Sequence, residues 1–600
     1  MTSHSSIFGD AILNDPSLEP RSPHDPALHA ERIHRGIRVL SFLASAKGVP
    51  DLIARYFETH SDGGICAQGF MEIWLDGLWQ PHGGIFGSHD PFDIRTLCET
   101  IWKKSGTPLR FHQATSARQW AQQASGLNIR WSVIGLIASI AGNSAEILHD
   151  SDDIFTRLDV PRISLMRQMH SVSQECVALC RECGSLEDMF IWLLMGHHYL
   201  SAGIVGDYDY RTYCASGEIC NAIVELGWHQ SVGDEIPFFL RELRKRTLAK
   251  IYSIEISLAT FLGRPPRLSY RYCSITMHLD LRDDQVMLDE KRLREATAKL
   301  DSAGFNTDTD ISHSAYVRLC FDSAKTREDI LDIALGSITL QDISGRVAAI
   351  REKYERQLET VPAFISRLLQ ESVRPCMSRP DLDSRQLLLL YCIRFSHHAN
   401  KLLLALVLIR KAGTRSDDLI TAAQCIVRDV LDLSRHNGLT HTSRTDISNI
   451  LVFQGLRAAS ILGVELLRVE EQPQAPGSPI LSRSRTIQDL SILADRLDGV
   501  DSTDGLFPMC RQGRKAILRI LDRILETPSR PSSSRQQHNF ECGAVLLGSG
   551  PTLTPRCDDP SQSTSASPAS GFEFDLQTAL LGYDLDFTKW LETTNFDMSL

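Results

Sequence analysis

From about residue 36 to residue 466, apolar side chains recur at steps of three and four, and stretches of strand-like alternation are few and short. That spacing gathers the apolar set on one face of a helix, turn after turn. "RQLLLLYCIRFSHHANKLLLALVLIRKAG" (385–413) is so continuously apolar that it predicts a helix buried on more than one side. The chain is therefore expected to be all-α, with one large helical domain over 36–466. A length of 600 residues leaves room for two to four domains and for a large core.

The flanks read differently. "DPSLEPRSPHDP" breaks any periodicity, so residues 1–35 are expected to form a flexible N-terminus. "EEQPQAPGSPILSRSRT" marks a linker over 467–487, and two short amphipathic helices follow within 488–526. Residues 527–570 are rich in Ser and Pro and offer too little apolar surface to offset the entropy of ordering. They are expected to be disordered.

A formal charge of −11 excludes a basic polymer that coats nucleic acid; any contact with DNA has to be local or borrowed. The first thirty residues lack the charged and apolar regions of a secretory signal. "WSVIGLIASIA" (131–141) and "LLLALVLI" (402–409) fall short of the roughly 20 residues a membrane span needs and read as buried helices. Fifteen cysteines in so long a chain are expected to be mostly small buried hydrophobes in a reducing compartment.

Chemistry-bearing patterns are sparse. Cys176, Cys180 and Cys183 in "CVALCREC" have the C-x3-C-x2-C spacing that can hold three irons of a cluster, and the same spacing lies on one helical face. The helical surroundings, Glu182 before the last cysteine and the lack of a following βα repeat favour a packed stripe. The pairs His197–His198 and His397–His398 point about 100° apart on a helix and have no third ligand at helical spacing. There is no H-E-x-x-H, no Gly-rich phosphate loop and no G-x-S-x-G. The chain is not expected to be an enzyme, and no catalytic, cofactor-binding or metal-ligating residue is assigned. The alternative is a helical ligand-binding protein or an enzyme built on the cysteine triplet. The basic runs "RELRKR" (241–246) and "RQGRKAILR" (511–519) read as solvated helix faces, with nuclear import or phosphate binding as the other reading.

One segment carries more. Leu240, Leu243, Ile251, Ile254, Leu258 and Leu262 form one stripe of a long helix, and Gly263 can take the left-handed conformation that closes it. Pro265 and Pro266 forbid its resumption. Arg264 is expected to neutralise carbonyls or a buried acid at the bend, so that its loss destabilises the domain.

"RELRKRTLAKIYSIEISLATFLGRPPRLS" resembles the most diagnostic segment of the fungal-specific transcription factor domain, the helical middle region of fungal zinc-cluster regulators. Glu242, Arg244, Lys245 and Arg246 stand where the family has a Glu-x-Arg-Arg-Arg-like run. Tyr252 and Glu255 match a Tyr-x-x-Asp position, and Leu262, Gly263, Arg264 and Pro265 match Leu-Gly-Arg-Pro. Leu226, Gly227, Trp228 and His229 are similar to the family's Leu-Gly-Leu-His, and Tyr56 with Phe57 to its Tyr-Phe entry. The resemblance spans roughly residues 50–410. It departs where Leu248 and Ala249 replace paired tryptophans, and where the family's six-cysteine zinc cluster is expected, because the first cysteines are Cys66 and Cys98. It implies a nuclear transcriptional regulator whose DNA targeting comes from a partner or from sequence missing from this chain, with no zinc held in the family manner. Control of a biosynthetic gene cluster is one setting, and homo- or heterodimers are compatible with it.

The far end bears on the same question. Residues 571–600 hold six aromatics and six acids against one Lys. Leu576, Leu580, Tyr583, Phe587 and Trp590 recur at heptad-like spacing with Asp584 and Asp586 between them. Acids that keep aromatics exposed on a tether suit an activation segment docking into a coactivator groove; a helix folded back on the core is the alternative.

Overall fold

The computed structural model describes residues 26–526 apart from 47, 61, 208, 231–234, 275, 308–310, 370–381, 415–416, 436–443 and 472–480. Helices account for nearly all of its regular structure; among the described residues the β contact is a single isolated bridge, Leu300 to Asn306. The chain is all-α.

The helices of the first half are α1 (Pro26–Ser45), α2 (Val49–Thr59), α3 (Gln68–Ser88), α4 (Pro91–Ser105), α5 (Ala117–Gln122), α6 (Trp131–Ile147), α7 (Asp153–Leu158), α8 (Arg162–Glu182), α9 (Asp188–Val205), α10 (Tyr210–Glu225) and α11 (Phe238–Leu262). Short helices α12 (Asp283–Val286) and α13 (Glu290–Thr297) lead to α14 (His313–Leu335), α15 (Leu340–Thr360), α16 (Ala363–Leu368), α17 (Ser384–Ala412) and α18 (Asp417–Leu433). Then α19 (Arg444–Ile450) runs through a π-helical turn, Leu451–Leu456, into α20 (Arg457–Glu471), and α21 (Arg483–Asp498) and α22 (Phe507–Glu526) close the described chain.

Local chemistry sets several of these boundaries. Asp383 accepts from Gln386 N at 2.8 Å, and the Gln386 side chain accepts from Asp383 N, a capping box that starts α17. Ser312 caps α14 through Ala315 N at 2.9 Å.

The N-terminal core forms around α6, buried from Trp131 through Glu146. Small residues let its neighbours approach: a Cβ on Gly135 would meet Cys176 Cβ of α8 at 2.6 Å, and one on Gly142 would meet Met169 Cβ at 3.0 Å. Asn143 Nδ2 ties α6 to α9 through Gly196 O at 2.9 Å. Beside it, Phe70, Trp74, Trp120, Trp192 and Phe239 pack with ring centroids 5.1 to 6.4 Å apart. Each such buried side chain contributes about 1.5–3 kcal/mol or more.

A second core gathers α17, α18, α20, α21 and α22, with Arg394 and Asp429 buried as a bidentate pair at 2.9 and 3.1 Å. Phe261, at the end of α11, belongs to this second core and meets Phe453 edge to face at 5.4 Å. Helix α11 thereby pins the two cores together.

Several observed boundaries differ from the sequence expectation. Helix α1 begins at Pro26, α20 runs to Glu471, and α21 begins at Arg483. Leu490, Leu493, Leu497, Ile517 and Leu521 of α21 and α22 are buried in the second core with Leu462, so these helices are part of the same body. Helix α17 and the stretch Asp446–Glu470 are long and apolar enough to cross a membrane, but most of each is buried within the body. The segments expected to be disordered over 527–570, and Leu576, Leu580, Tyr583, Phe587 and Trp590, lie outside the described residues.

Candidate functional site

The Gly-Arg-Pro segment closes α11 as the residues require. Gly263 adopts φ 61°, ψ 35°, and Arg264 N reaches back to Ala259 O at 2.9 Å. Beyond Pro265 the chain doubles back along α11: Arg267 faces Glu255, Leu279 faces Glu242 and Leu281 faces Arg246.

The motif residues of α11 hold this strap and its surroundings. Arg244 makes a bidentate pair with Asp188 at 2.6 and 2.8 Å beneath the Trp228 ring. Glu242 accepts from Lys245 Nζ at 2.9 Å and from Leu279 N at 2.7 Å. Arg246 pairs with Asp283 and donates to Leu281 O at 2.7 Å. The Tyr252 hydroxyl donates to Glu328 at 2.6 Å. The run 241–246 is thus largely buried and paired, which corrects the reading of it as a solvated face. A burial cost this high is met by giving each charge a partner and further hydrogen bonds.

Arg264 also departs from expectation. It is exposed, lies 5.5 Å from the Tyr213 ring centroid, and has no carboxylate partner among the described residues. The expected role belongs to Arg267, which donates to Glu255 at 3.1 Å and to Tyr213 O at 3.1 Å and stacks 3.7 Å above the Tyr213 ring. Leu262, half-buried, packs against the second core.

Cys176 and Cys180 are buried and Cys183 is half-buried, the first two within α8 and the third at its C-terminal cap. Burial pushes all three thiols up, Cys183 to about 11, so they stay protonated and unreactive. Among the described residues no group of three or more His, Cys, Asp or Glu is placed to hold a metal ion. His197 bonds Ser173 Oγ at 2.8 Å and stacks on His170, while His397 meets His398 and Tyr354 edge-on or tilted in the core.

Between the two cores lies a cavity of about 990 Å³. Lining positions recur as a stripe on each of four helices: Lys250, Ser253, Ser257 and Phe261 on α11; His313, Tyr316, Cys320 and Arg327 on α14; Arg385, Cys392, Ser396 and Leu403 on α17; Asp446, Asn449, Phe453 and Arg457 on α19 through α20. The last helix faces the cavity through its π-helical turn, a distortion frequent at functional sites.

The two ends of the cavity differ. At one end Lys250 donates to Gly63 O and Gly64 O at 3.0 and 3.1 Å, and Arg385 donates to Thr59 O and Asp62 O, which fixes the loop after α2 as a wall. Burial pushes Lys250 down to about 8 against the pull of Asp283. The Asp446 side chain lines this space and is accessible within it, and desolvation by the surrounding protein pushes its carboxyl up to about 6, with Arg385 opposing. Asp207 is likewise pushed up to about 6 by burial. At the other end, Arg327 Nε donates to Asn400 Oδ1 at 2.8 Å, and Asn400 is itself fixed by Ser323 O and Oγ at 2.9 Å each.

The residues of this cavity carry no signal in the sequence. Arg327, Arg385 and Asp446 are single charges on otherwise ordinary helical patterns, and only the packing of several helices brings them around one space. Comparison of the chain with family models, with curated proteins and with solved structures finds no match.

Proposed function

We propose that this chain is a transcriptional regulator of the fungal type, an activator whose helical body is its regulatory domain and whose residues 571–600 recruit a coactivator. The observation that carries this reading is the agreement between the motif and its work in the fold. In the segment that resembles the fungal regulators, Glu242, Arg246 and Gly263 hold the strap along α11, while Arg244 ties α11 to Asp188 at the start of α9 and Tyr252 ties it to Glu328 of α14. Residues spent in this way belong to a scaffold motif, which is what a shared regulatory domain would preserve. The acidic, aromatic composition of residues 571–600 supports the activation half. DNA targeting would come from a DNA-bound partner or from sequence outside this chain.

The test is a reporter assay with the full chain fused to a foreign DNA-binding domain, together with localisation of a fluorescent fusion. Activation and nuclear accumulation are expected, and Phe587→Ala combined with Trp590→Ala should remove activation while leaving the protein's level unchanged. A silent fusion that is also excluded from the nucleus would overturn the proposal.

A further inference from the structure

We infer that the cavity between the two cores is a binding site for an elongated amphipathic carboxylate, its anionic head on Arg327 and its far end beside Asp446 and Asn449. This inference stands independently of the regulatory reading.

The head-group assignment rests on Arg327. Buried charges are ordinarily paired, because an uncompensated one costs several kcal/mol. Other arginines of this region have their terminal nitrogens satisfied: Arg244 by Asp188, Arg246 by Asp283, Arg267 by Glu255 and Arg394 by Asp429, while Arg318 is met by the carbonyls of His278 and Ala303 and Arg385 by those of Thr59 and Asp62. Arg327 has no carboxylate partner among the described residues. Its Nε is held by Asn400 Oδ1, while its two terminal nitrogens make only 3.5 Å contacts with Ser257 Oγ and Ser396 O. The fork is therefore oriented from behind and offered to the cavity, the arrangement that receives a carboxylate through two parallel hydrogen bonds. Burial first, and then Arg457 nearby, push Arg327 down to about 10.

The remaining walls define the rest of the ligand. Phe261, Phe453, Leu258, Leu388 and Leu403 provide an apolar midsection. Asp446 is accessible and accepts no hydrogen bond from the described residues, so the far end offers a carboxylate that can take a donor, with Asn449 lining the wall beside it. From residue 446 to residue 457 is about 16 Å of helix at 1.5 Å per residue. A volume of about 990 Å³ is at the upper end of small-molecule sites, which run about 300–1,000 Å³. A twelve-carbon acid with a terminal hydroxyl spans the two ends.

Titration calorimetry on the full chain with ω-hydroxydodecanoate and with its methyl ester tests the inference. The acid should bind at least about tenfold more tightly than the ester, the value of one charge-assisted pair. Arg327→Gln should erase that preference while melting at the same or a higher temperature than the parent, since it removes an unpaired charge. Ala399→Phe, which fills the space and leaves Arg327 in place, should abolish binding of both compounds. Equal binding of acid and ester would overturn the head-group assignment, as would an Arg327→Gln protein that keeps the preference. Binding of neither compound, or binding that survives Ala399→Phe, would overturn the site itself.

Discussion

Arg267 and Glu255, twelve residues apart, face each other across the Gly263 bend, the backbone N–H of Arg267 at 2.9 Å and its guanidinium at 3.1 Å from the same carboxylate. Glu255 is almost wholly buried, and its other donors are Ser216 Oγ at 3.3 Å and the weak donor Cys220 Sγ at 3.9 Å. Arg267→Ala leaves that acid without its charge partner and should cost about 3 kcal/mol. Arg264→Ala removes an exposed side chain and should stay within about 0.5 kcal/mol. Denaturant unfolding of the two variants checks the assignment; a larger loss from Arg264→Ala would return the anchoring role to that residue.

The Arg394–Asp429 pair sits at the centre of the second core, both side chains nearly inaccessible. Burial pushes the Asp429 carboxyl up and Arg394 pulls it back, so the pair survives as a unit. Either partner removed alone should destabilise by about 3–5 kcal/mol, whereas Arg394→Met combined with Asp429→Leu should lie within about 2 kcal/mol of the parent. A double-mutant cycle measures this directly, and additive losses would mean that the two residues act separately.

The parts of this fold that follow from local chemistry are legible in the sequence. The apolar spacing of 385–413 yields one helix, α17, and the left-handed Gly263 followed by Pro265 yields the bend. What the bend does next is not legible. Which of Arg264 and Arg267 meets a carboxylate depends on the strap returning along α11, a tertiary fact. The same holds for "RELRKR": charge density suggested solvent, but Asp188 and Asp283, the acids that draw Arg244 and Arg246 inward, lie 56 and 37 residues away. The cavity is least legible of all, because it is a space left between stripes on several helices and each stripe alone looks like core.

At Gly135 helices α6 and α8 pack closely. A Cβ there would stand 2.6 Å from Cys176 Cβ and 2.8 to 2.9 Å from the Leu193 methyls, and a Cβ cannot rotate away. Gly135→Ala should therefore cost about 1–3 kcal/mol despite the better helix propensity of alanine. Pairing it with Leu193→Ala relieves one of the two clashes and should recover part of the loss. If Gly135→Ala alone raises the melting temperature, the two helices are not packed as closely as described.

Acid should weaken the fold, and the sign follows from which state holds more protons. Burial pushes His60 and His198 down to about 4, His197 and His397 down to about 3 and His398 down to about 2, each from an ordinary value near 6.5. Below about pH 6.5 the unfolded chain takes up protons at these rings while the folded chain refuses them, so stability falls as the pH drops toward about 4. Asp207 and Asp446, raised to about 6, work against this, since between about pH 6 and pH 4 the folded state binds their protons first. Burial also lowers His170, His278 and His313 and raises Asp62, Glu187, Asp429 and Asp489, so eight histidines stand against six carboxyls, and the melting temperature should decline from about pH 7 to about pH 5. His398, whose two ring nitrogens are buried without hydrogen-bond partners, is the cleanest single contributor. His398→Phe should flatten the decline, and Asp207→Asn should steepen it between about pH 6 and pH 4 by removing an opposing group. A melting temperature that is flat across this range would show that the buried rings already take up protons in the folded state.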